Sequence, residues 1–580
     1  MAAKNVEEIK AESNGLRGSL REEIQDGASI HVSEEAAQLL KFHGSYQQDD
    51  RDQRIARKQQ HLDKAWIFMI RSKIPGGALT AEQYLQHDRV AAELGNGTLR
   101  ITTRQDIQLH GVLKGNLKGC LQQINASGIT TWGGCGDVVR NTIAPAAPLK
   151  DEAHEDAQRL AHELSRKFLA RSRAYSEIWL DGEKLDPGAA SAQEAEADPV
   201  YEKHYLPRKF KIGIAIPPRN DVDVYSNDLG FISHVADGRV LGYTVVVGGG
   251  FGMSHGKVDT YPALAKPLFY VPRDQALDVA LAVVLVQRDY GNRTDRKRAR
   301  LKYLIDERGI DWFRDEVCKR FAGQSAPARS VRWDTVGDML GWHPQGDGRW
   351  FRGVWVQEGR VADAHGVNYR SAFRTIVERF RLPVRLTTNC NLILADVLPE
   401  QRAEIDRILA AHSVPEPATL TPMRQTAQAC VGLPTCGLAL AESERAFPAV
   451  LDQIEAVMSE LALSDEQILI RMTGCPNGCA RPYNADIAFV GRAPGKYALY
   501  VGGSITGDRL AGLHAKTVNQ EDIPAQVREL LSGYVQQRRP DETFTAYWGR
   551  THENGPAPHP SQFHVELARR AGAKLEPAEA

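Results

Sequence analysis

The chain has 580 residues, 42% hydrophobic and 25% charged, with Lys+Arg 72 against Asp+Glu 73. At roughly 150 residues per domain this length predicts about three or four domains rather than one core. The balanced charge excludes a nucleic-acid or membrane partner recognised by a global field, so any electrostatic site must be a local cluster.

The first 25 residues are polar and acid-containing, with no apolar stretch to serve as a signal-peptide core. No later segment approaches the ~20 apolar residues of a membrane span. A cytoplasmic location is expected. In a reducing compartment the eight cysteines are poor candidates for a disulfide scaffold, and close cysteine pairs point to metal or redox chemistry.

The first informative element is 99–113, LRITTRQDIQLHGVL, because it aligns without gaps on 384–398, VRLTTNCNLILADVL. Both copies alternate as strands do. Each follows a helical pattern (AEQYLQHDRVAAEL; VNYRSAFRTIVERF) and precedes another (NLKGCLQQINAS; EQRAEIDRILAAH). Two related strand-helix units predict a pseudo-twofold α+β protein with a cleft between its halves. The copies diverge in chemistry: Arg104, Gln108 and His110 in the first stand where the second has Asn389, Ile393 and Ala395. A purely structural duplication needs no extra polar residues in one copy, so the first is expected to face a ligand.

Between the repeats, 182–198 (GEKLDPGAASAQEAEAD) reads as an exposed, mobile linker after the strand-like SEIWL. In the following YLPRKFKIGIAI, Lys209 and Lys211 alternate along a strand-like segment, so both ammonium groups point the same way and suit one oxyanion. A pair of surface lysines is the plainer alternative. The GGGFG at 248–252 lacks the spacing of a dinucleotide fingerprint. The basic run RTDRKRARLK at 293–302 reads equally well as a solvated helix face or as a set of anion ligands.

The strongest motif comes last. Cys430-VGLPT-Cys436 is followed, after 38 intervening residues, by Cys475-PNG-Cys479. Four thiolates on two tight turns can close on one inorganic core, with turn amides pointing at sulfur. The segment after Cys436 reads as an amphipathic helix with Phe447, Leu451, Ile454, Met458 and Leu461 on one face. Spacing alone leaves structural zinc open beside an iron-sulfur cluster, because three intervening residues fit zinc and five are slightly long. Cys120, Cys135, Cys318 and Cys390 read as ordinary buried thiols, with Cys135 close enough to Arg140 to line a pocket. The tail after Trp548 is Pro- and charge-rich, with one short helical pattern.

The cysteine flanks ACVGLPTC and TGCPNGCAR, with FHGSYQQDDRDQR at 42–54, PGG at 75–77, TTRQ at 102–105, GDVVRN at 136–141, LPRKFK at 206–211 and APGKYALYVGG ending at Gly503, resemble the sulfite and nitrite reductase haemoprotein family over about residues 10–535. The tail departs from it. The resemblance implies two ferredoxin-like halves plus a paired sirohaem-binding α/β region. It divides the chain into an arm (1–68), a duplicated ferredoxin-like domain (69–132 with 345–417), a sirohaem and substrate domain (133–344) and a cluster domain (418–580). It further implies a 4Fe-4S cluster on Cys430, Cys436, Cys475 and Cys479, with Cys479 shared as the sirohaem's axial ligand. Arg100, Arg104, Gln108, His110 and Arg208, with Lys297 and Lys302 of the basic run, would meet the macrocycle's carboxylates. Arg71, Arg140, Lys209 and Lys211 would hold the substrate anion. The implied reaction is six-electron reduction of sulfite to sulfide in sulfate assimilation and cysteine biosynthesis. Lys211 favours sulfite, since ferredoxin-linked nitrite reductases commonly carry asparagine there. No flavin or NADPH domain is visible, so electrons come from another protein. The arm points to a diflavin reductase using NADPH, and the divergent tail keeps ferredoxin as the alternative.

Overall fold

A computed structural model describes residues 4–171, 178–180, 183–185 and 198–552. Two five-stranded antiparallel sheets carry the duplicated units. The first runs Ser45–Asp49, Trp66–Arg71, Ile107–Val112, Leu99–Ile101, Arg360–Val361; the second runs Gly341–Pro344, Trp350–Val354, Leu392–Val397, Val384–Leu386, Ala78–Leu79. Each sheet therefore ends on a short strand donated by the other half. Arg360 pairs with Arg100, and Leu79 with Val384. This exchange covers one edge of each sheet with the partner half's backbone.

The helices fall where the apolar periodicity placed them. Ala81–Leu94 starts at Thr80, whose hydroxyl caps the Gln83 amide while the Gln83 side chain returns the bond, and it stops at Gly95. Its twin Tyr369–Phe380 packs beside it, and Arg370 and Arg374 reach across to the buried carboxylate of Asp88, each at 2.6 Å. The turns of the two repeats also match in backbone shape: Gln105 (φ 52°) and Cys390 (φ 67°) hold the same left-handed position.

A second duplication underlies the rest of the chain. Ile212–Ala215 and Leu229–Ala236 run parallel, followed by antiparallel Arg239–Val247 and Lys266–Pro272. Ile470–Thr473 and Ile487–Ala493 repeat that parallel pair, followed by antiparallel Lys496–Val501 and Gly512–Asn519. In both, a left-handed residue (Asp223, Arg481) opens the connecting turn. In both, an aspartate caps the first strand, Asp228 accepting from the Lys211 amide and Asp486 from the Leu469 amide, each at 2.9 Å.

The helix expected after Cys436 is Phe447–Glu460, with Phe447, Leu451, Ile454 and Met458 buried and Leu461 partly so. Of the linker 182–198, only 183–185 and Asp198 fall among the described residues, and the tail beyond His552 lies outside them. The short helical pattern of the tail after Trp548 therefore falls outside them, and the last described helix is Phe544–His552. Cys318 departs from expectation: it is exposed, because Ile310–Arg320 turns Phe313, Glu316 and Val317 inward instead. Among the described residues no helix is long and apolar enough to cross a membrane.

Candidate active site

The cleft is built where the first repeat turn, the segment Gly134–Asn141 and Lys209–Lys211 meet. Phe210 bridges Val139 in parallel and is buried, so the flanking Lys209 and Lys211 turn together to the opposite side, each half-buried. Arg140 is fixed by its own loop, donating to the carbonyls of Gly136 (2.8 Å) and Gly134 (3.3 Å). Arg71 donates to both oxygens of Asp106 (3.1 and 2.9 Å), while Arg104 lies 3.8 Å from that carboxylate and reaches the Asn141 carbonyl at 3.4 Å.

Cations outnumber their partners here. The Nε atoms of Arg71 and Arg104 and the ammonium of Lys73 are buried without an acceptor among the described residues. Burial, then Arg300 and Arg104, pulls Lys211 down to about 7; burial and Lys211 pull Lys209 well below the ordinary lysine value. Burial and Arg104 bring Lys73 to about 7. Unpaired buried cations cost several kcal/mol each, roughly, unless an anion joins them. The site is therefore unfinished without one, and a polycarboxylate macrocycle and an oxyanion are the kind of groups that complete it.

The four cysteines lie against this cleft. Cys479 raises the pKa of Cys430, Cys436 and Cys475, with burial acting first in each, and Cys430 is pushed up to about 12. It acts to raise the Lys209 and Lys211 values as well, which favours their charged forms. The Cys479 carbonyl accepts from the Thr103 hydroxyl at 3.1 Å, so its turn is tied to the first repeat. The Gly474 amide donates to the Cys430 sulfur at 3.2 Å, the kind of N–H···S contact that favours a negatively charged cluster. Among the described residues no three His, Cys, Asp or Glu side chains form the shell of a single ion. The four thiols are electrostatic neighbours on two loops, and the raised pKa values of Cys430, Cys436 and Cys475 mean that their ionisation awaits a metal centre. Thiolate donors, an N–H···S contact and adjoining free cations fit an iron-sulfur cluster beside an anionic haem.

Several expected ligands are committed elsewhere. In register across the first sheet, Arg71, Gln108, Arg100 and Arg360 form one row. Arg100 donates to Glu444 (2.9 Å) and to the Ala429 carbonyl (2.8 Å), and Arg360 grips Glu444 at 2.7 and 3.0 Å. His110 faces Arg360 at 3.1 Å, and burial with that neighbour pulls its pKa well below the ordinary value. Glu444 in turn donates its amide to the Cys430 carbonyl at 2.9 Å. A carboxylate reaching Arg100 or His110 would compete with Glu444. Arg208 lies 3.9 Å from Asp137, which Arg296 also holds. Lys297 is exposed. Lys302 is buried under the glycine run, donating to the carbonyls of Gly250, Gly252 and Tyr261. That run is a packing element: a Cβ on Gly249 would overlap the Tyr225 carbonyl, and the Met253 amide donates to the Pro476 carbonyl at 3.0 Å, locking the second cysteine turn.

The equivalent turn in the second repeat is closed by protein. Arg481 donates to the Thr388 carbonyl, the Asn389 amide oxygen and Gln428, while Asn389 donates to Asp338 and the Val336 carbonyl. Sequence reasoning passed over Lys73, Arg360 and Glu444. Lys73 carried a signal, being basic beside PGG; the other two depend on strand exchange and leave none.

Two family descriptions match the chain: the nitrite and sulphite reductase 4Fe-4S domain at 135–325, and the nitrite/sulfite reductase ferredoxin-like half domain at 59–127 and 343–412. Sulfite reductase [NADPH] hemoprotein beta-component of Paenibacillus sp. (strain JDR-2) is 45% identical over 541 residues, covering 93% of this chain and 94% of that one. The chain belongs to the nitrite and sulfite reductase family. The protein of the same description from Chromohalobacter salexigens is 45% identical over 560 residues, covering 96% and 97%. The fold matches the solved structure of Mycobacterium tuberculosis NirA protein with a TM-score of 0.75 at 23% identity, covering 95% of this chain and 96% of that one. Membership in the family agrees with the duplicated α+β architecture, whose two exchanged sheets are its ferredoxin-like halves.

Proposed function

We propose that this enzyme reduces sulfite to sulfide with six electrons, delivered from NADPH through a flavoprotein partner. The observation that carries the reading is the cation-rich cleft of Arg71, Arg104, Arg140, Lys209 and Lys211 beside Cys479, with buried donors left unpaired. When bound, a sirohaem coupled to a 4Fe-4S cluster supplies single electrons to the sulfur, and Cys430, Cys436, Cys475 and Cys479 would hold that centre. The balance is SO3²⁻ + 6 e⁻ + 7 H⁺ → HS⁻ + 3 H2O.

The chain's own residues bind the anion and move protons. Arg71 and Arg140 are held rigidly by Asp106 and by loop carbonyls, so their charge is preorganised before the anion arrives. Lys209 and Lys211 supply mobile N–H donors. A lysine brought near neutrality gives up a proton readily, which suits Lys211 to protonate each departing oxygen. Two ammonium groups on one side also suit a dianion such as sulfite better than singly charged nitrite. The test is Lys211→Met in protein made with sirohaem synthesis: S–O cleavage should slow while the haem and cluster spectra persist, and unchanged turnover would refute the role. Reconstitution with a diflavin reductase against ferredoxin settles the donor, and the reading expects the flavoprotein to support faster sulfide release.

A further inference from the structure

The residues that open the equivalent turns of the second duplication meet face to face. Asp223 and Arg481 share the left-handed conformation, with φ 51° and 55°, and Arg481 Nη1 lies 3.0 Å from Asp223 Oδ2. One copy thus places a carboxylate, and the other a guanidinium, at the same position of the turn. Both are buried, and so is Arg471, which donates from Nη1 to the same Oδ2 at 3.0 Å. The second carboxylate oxygen accepts from the Asn484 side-chain amide at 2.7 Å. Two buried guanidinium groups therefore share one carboxylate, and its loss would leave both uncompensated.

These contacts end on the backbone of the second cysteine turn. The Arg481 amide donates to the Gly478 carbonyl at 3.0 Å, and the Arg481 carbonyl accepts from Arg471 Nη1 at 2.9 Å. Arg481 stands two residues past Cys479, so the two arginines fix where the turn leaves the thiol. Asp223 belongs to the other copy. Its turn joins Ile212–Ala215, the strand that continues from Lys209 and Lys211, to Leu229–Ala236. The carboxylate is a direct tie between the segment that carries the anion-facing lysines and the segment that carries Cys479. Gly507 leaves room for it, since a Cβ there would overlap Asp223 Oδ1.

We propose that Asp223 is a positioning residue, acting through Arg481 and Arg471 to set the orientation of the Cys479 thiolate relative to Lys209 and Lys211. The inference rests on the function proposed above, in which Cys479 belongs to the redox centre. Groups that orient a metal ligand tune the centre as well as hold it, and a small misplacement of reacting groups costs turnover more than binding. Asp223 touches neither substrate nor cofactor.

The test uses full-length protein made with sirohaem synthesis and carrying Asp223→Asn, because asparagine keeps the size and tolerates the left-handed conformation while removing the charge. Asp88→Asn is the control. Asp88 is likewise a buried carboxylate shared by two arginines, Arg370 and Arg374, within the ferredoxin-like halves. Both variants should melt below wild type. Only Asp223→Asn should weaken the cluster–haem coupling read by EPR and displace the reduction potential by about 59 mV, a tenfold change in the one-electron ratio. Its kcat should fall about tenfold with KM within about twofold of wild type. Arg481→Lys keeps the charge and loses the guanidinium fork, so it should show the same spectral change, and it decides the matter if Asp223→Asn does not fold. A wild-type spectrum and potential in either folded variant would overturn the proposal and leave a purely structural ion pair. So would the same spectral change in Asp88→Asn, which would make it a consequence of lost stability. Wild-type protein without haem absorption would instead overturn the function on which the inference rests.

Discussion

Replacing Glu444 by glutamine keeps the side chain's size and removes the charge that neutralises two arginines. The carboxylate accepts one bond from Arg100 and two from Arg360. Burial alone would raise its pKa, but Arg360 and Arg100 prevail and hold it at about 2, against an ordinary 4.5. That difference corresponds to roughly 3 kcal/mol of stability, in line with the ~3–5 kcal/mol lost when one member of a buried ion pair is removed. The contribution is fully present above pH 4.5 and disappears as pH falls through about 2, because the folded-state pKa is the depressed one. Guanidinium unfolding at pH 7 should therefore show Glu444→Gln destabilised by about 3 kcal/mol, with the gap to wild type narrowing between pH 4.5 and 2. The Glu444 amide, which glutamine keeps, holds the Cys430 carbonyl, so loosening the side-chain clamp on that residue should lower iron content after chelator challenge as well. A loss below about 1 kcal/mol at pH 7, or a gap that does not respond to acid, would refute the idea that this triad clamps the cysteine loop to the first sheet.

Lys211→Arg should keep anion binding, since the charge remains, and slow turnover, since guanidinium gives up protons poorly; kcat falling with KM nearly constant is the expected pattern. In wild type kcat/KM should fall as pH rises through the Lys211 pKa, and Lys211→Arg should carry that limb to higher pH. Cys479→Ser should uncouple the two cofactors while Cys436→Ser removes the cluster outright, as read by EPR; magnetic coupling surviving in Cys479→Ser would assign the bridge to another cysteine. Lys302→Met strips three carbonyls of their shared donor and should cost about 2 kcal/mol or more. A melting temperature unchanged from wild type would show the glycine run to be held by other contacts.

The first duplication was legible because each repeat keeps a Thr-Thr turn between alternating strands, and that turn requires the same left-handed residue in both halves. The second was not, since its copies share only backbone demands: a left-handed opener, Asp223 or Arg481, and a capping aspartate, Asp228 or Asp486. Residue types at those positions carry no periodicity. The cysteine loops and their supporting helix stood out for the opposite reason, being local in sequence. The shared facing of Lys209 and Lys211 was legible in their alternation around buried Phe210. Side-chain pairing was obscured where the partner arrives from far along the chain, as Glu444 does for Arg100 and Arg360 for His110. Basic residues in 293–302 illustrate the limit: adjacent in sequence, they divide among solvent (Lys297), Asp228 (Arg300) and backbone carbonyls (Lys302).

Unpaired cations beside Cys479 that serve a six-electron reduction of sulfite imply a fixed ratio of electrons to product. The direct measurement is electron stoichiometry: protein purified after expression with sirohaem synthesis, reduced by a known quantity of viologen, and assayed for sulfide. Haem absorption in the purified protein and one sulfide for every six electrons consumed are the expected results. A colourless protein, or electrons consumed with sulfite left unreduced, would contradict them.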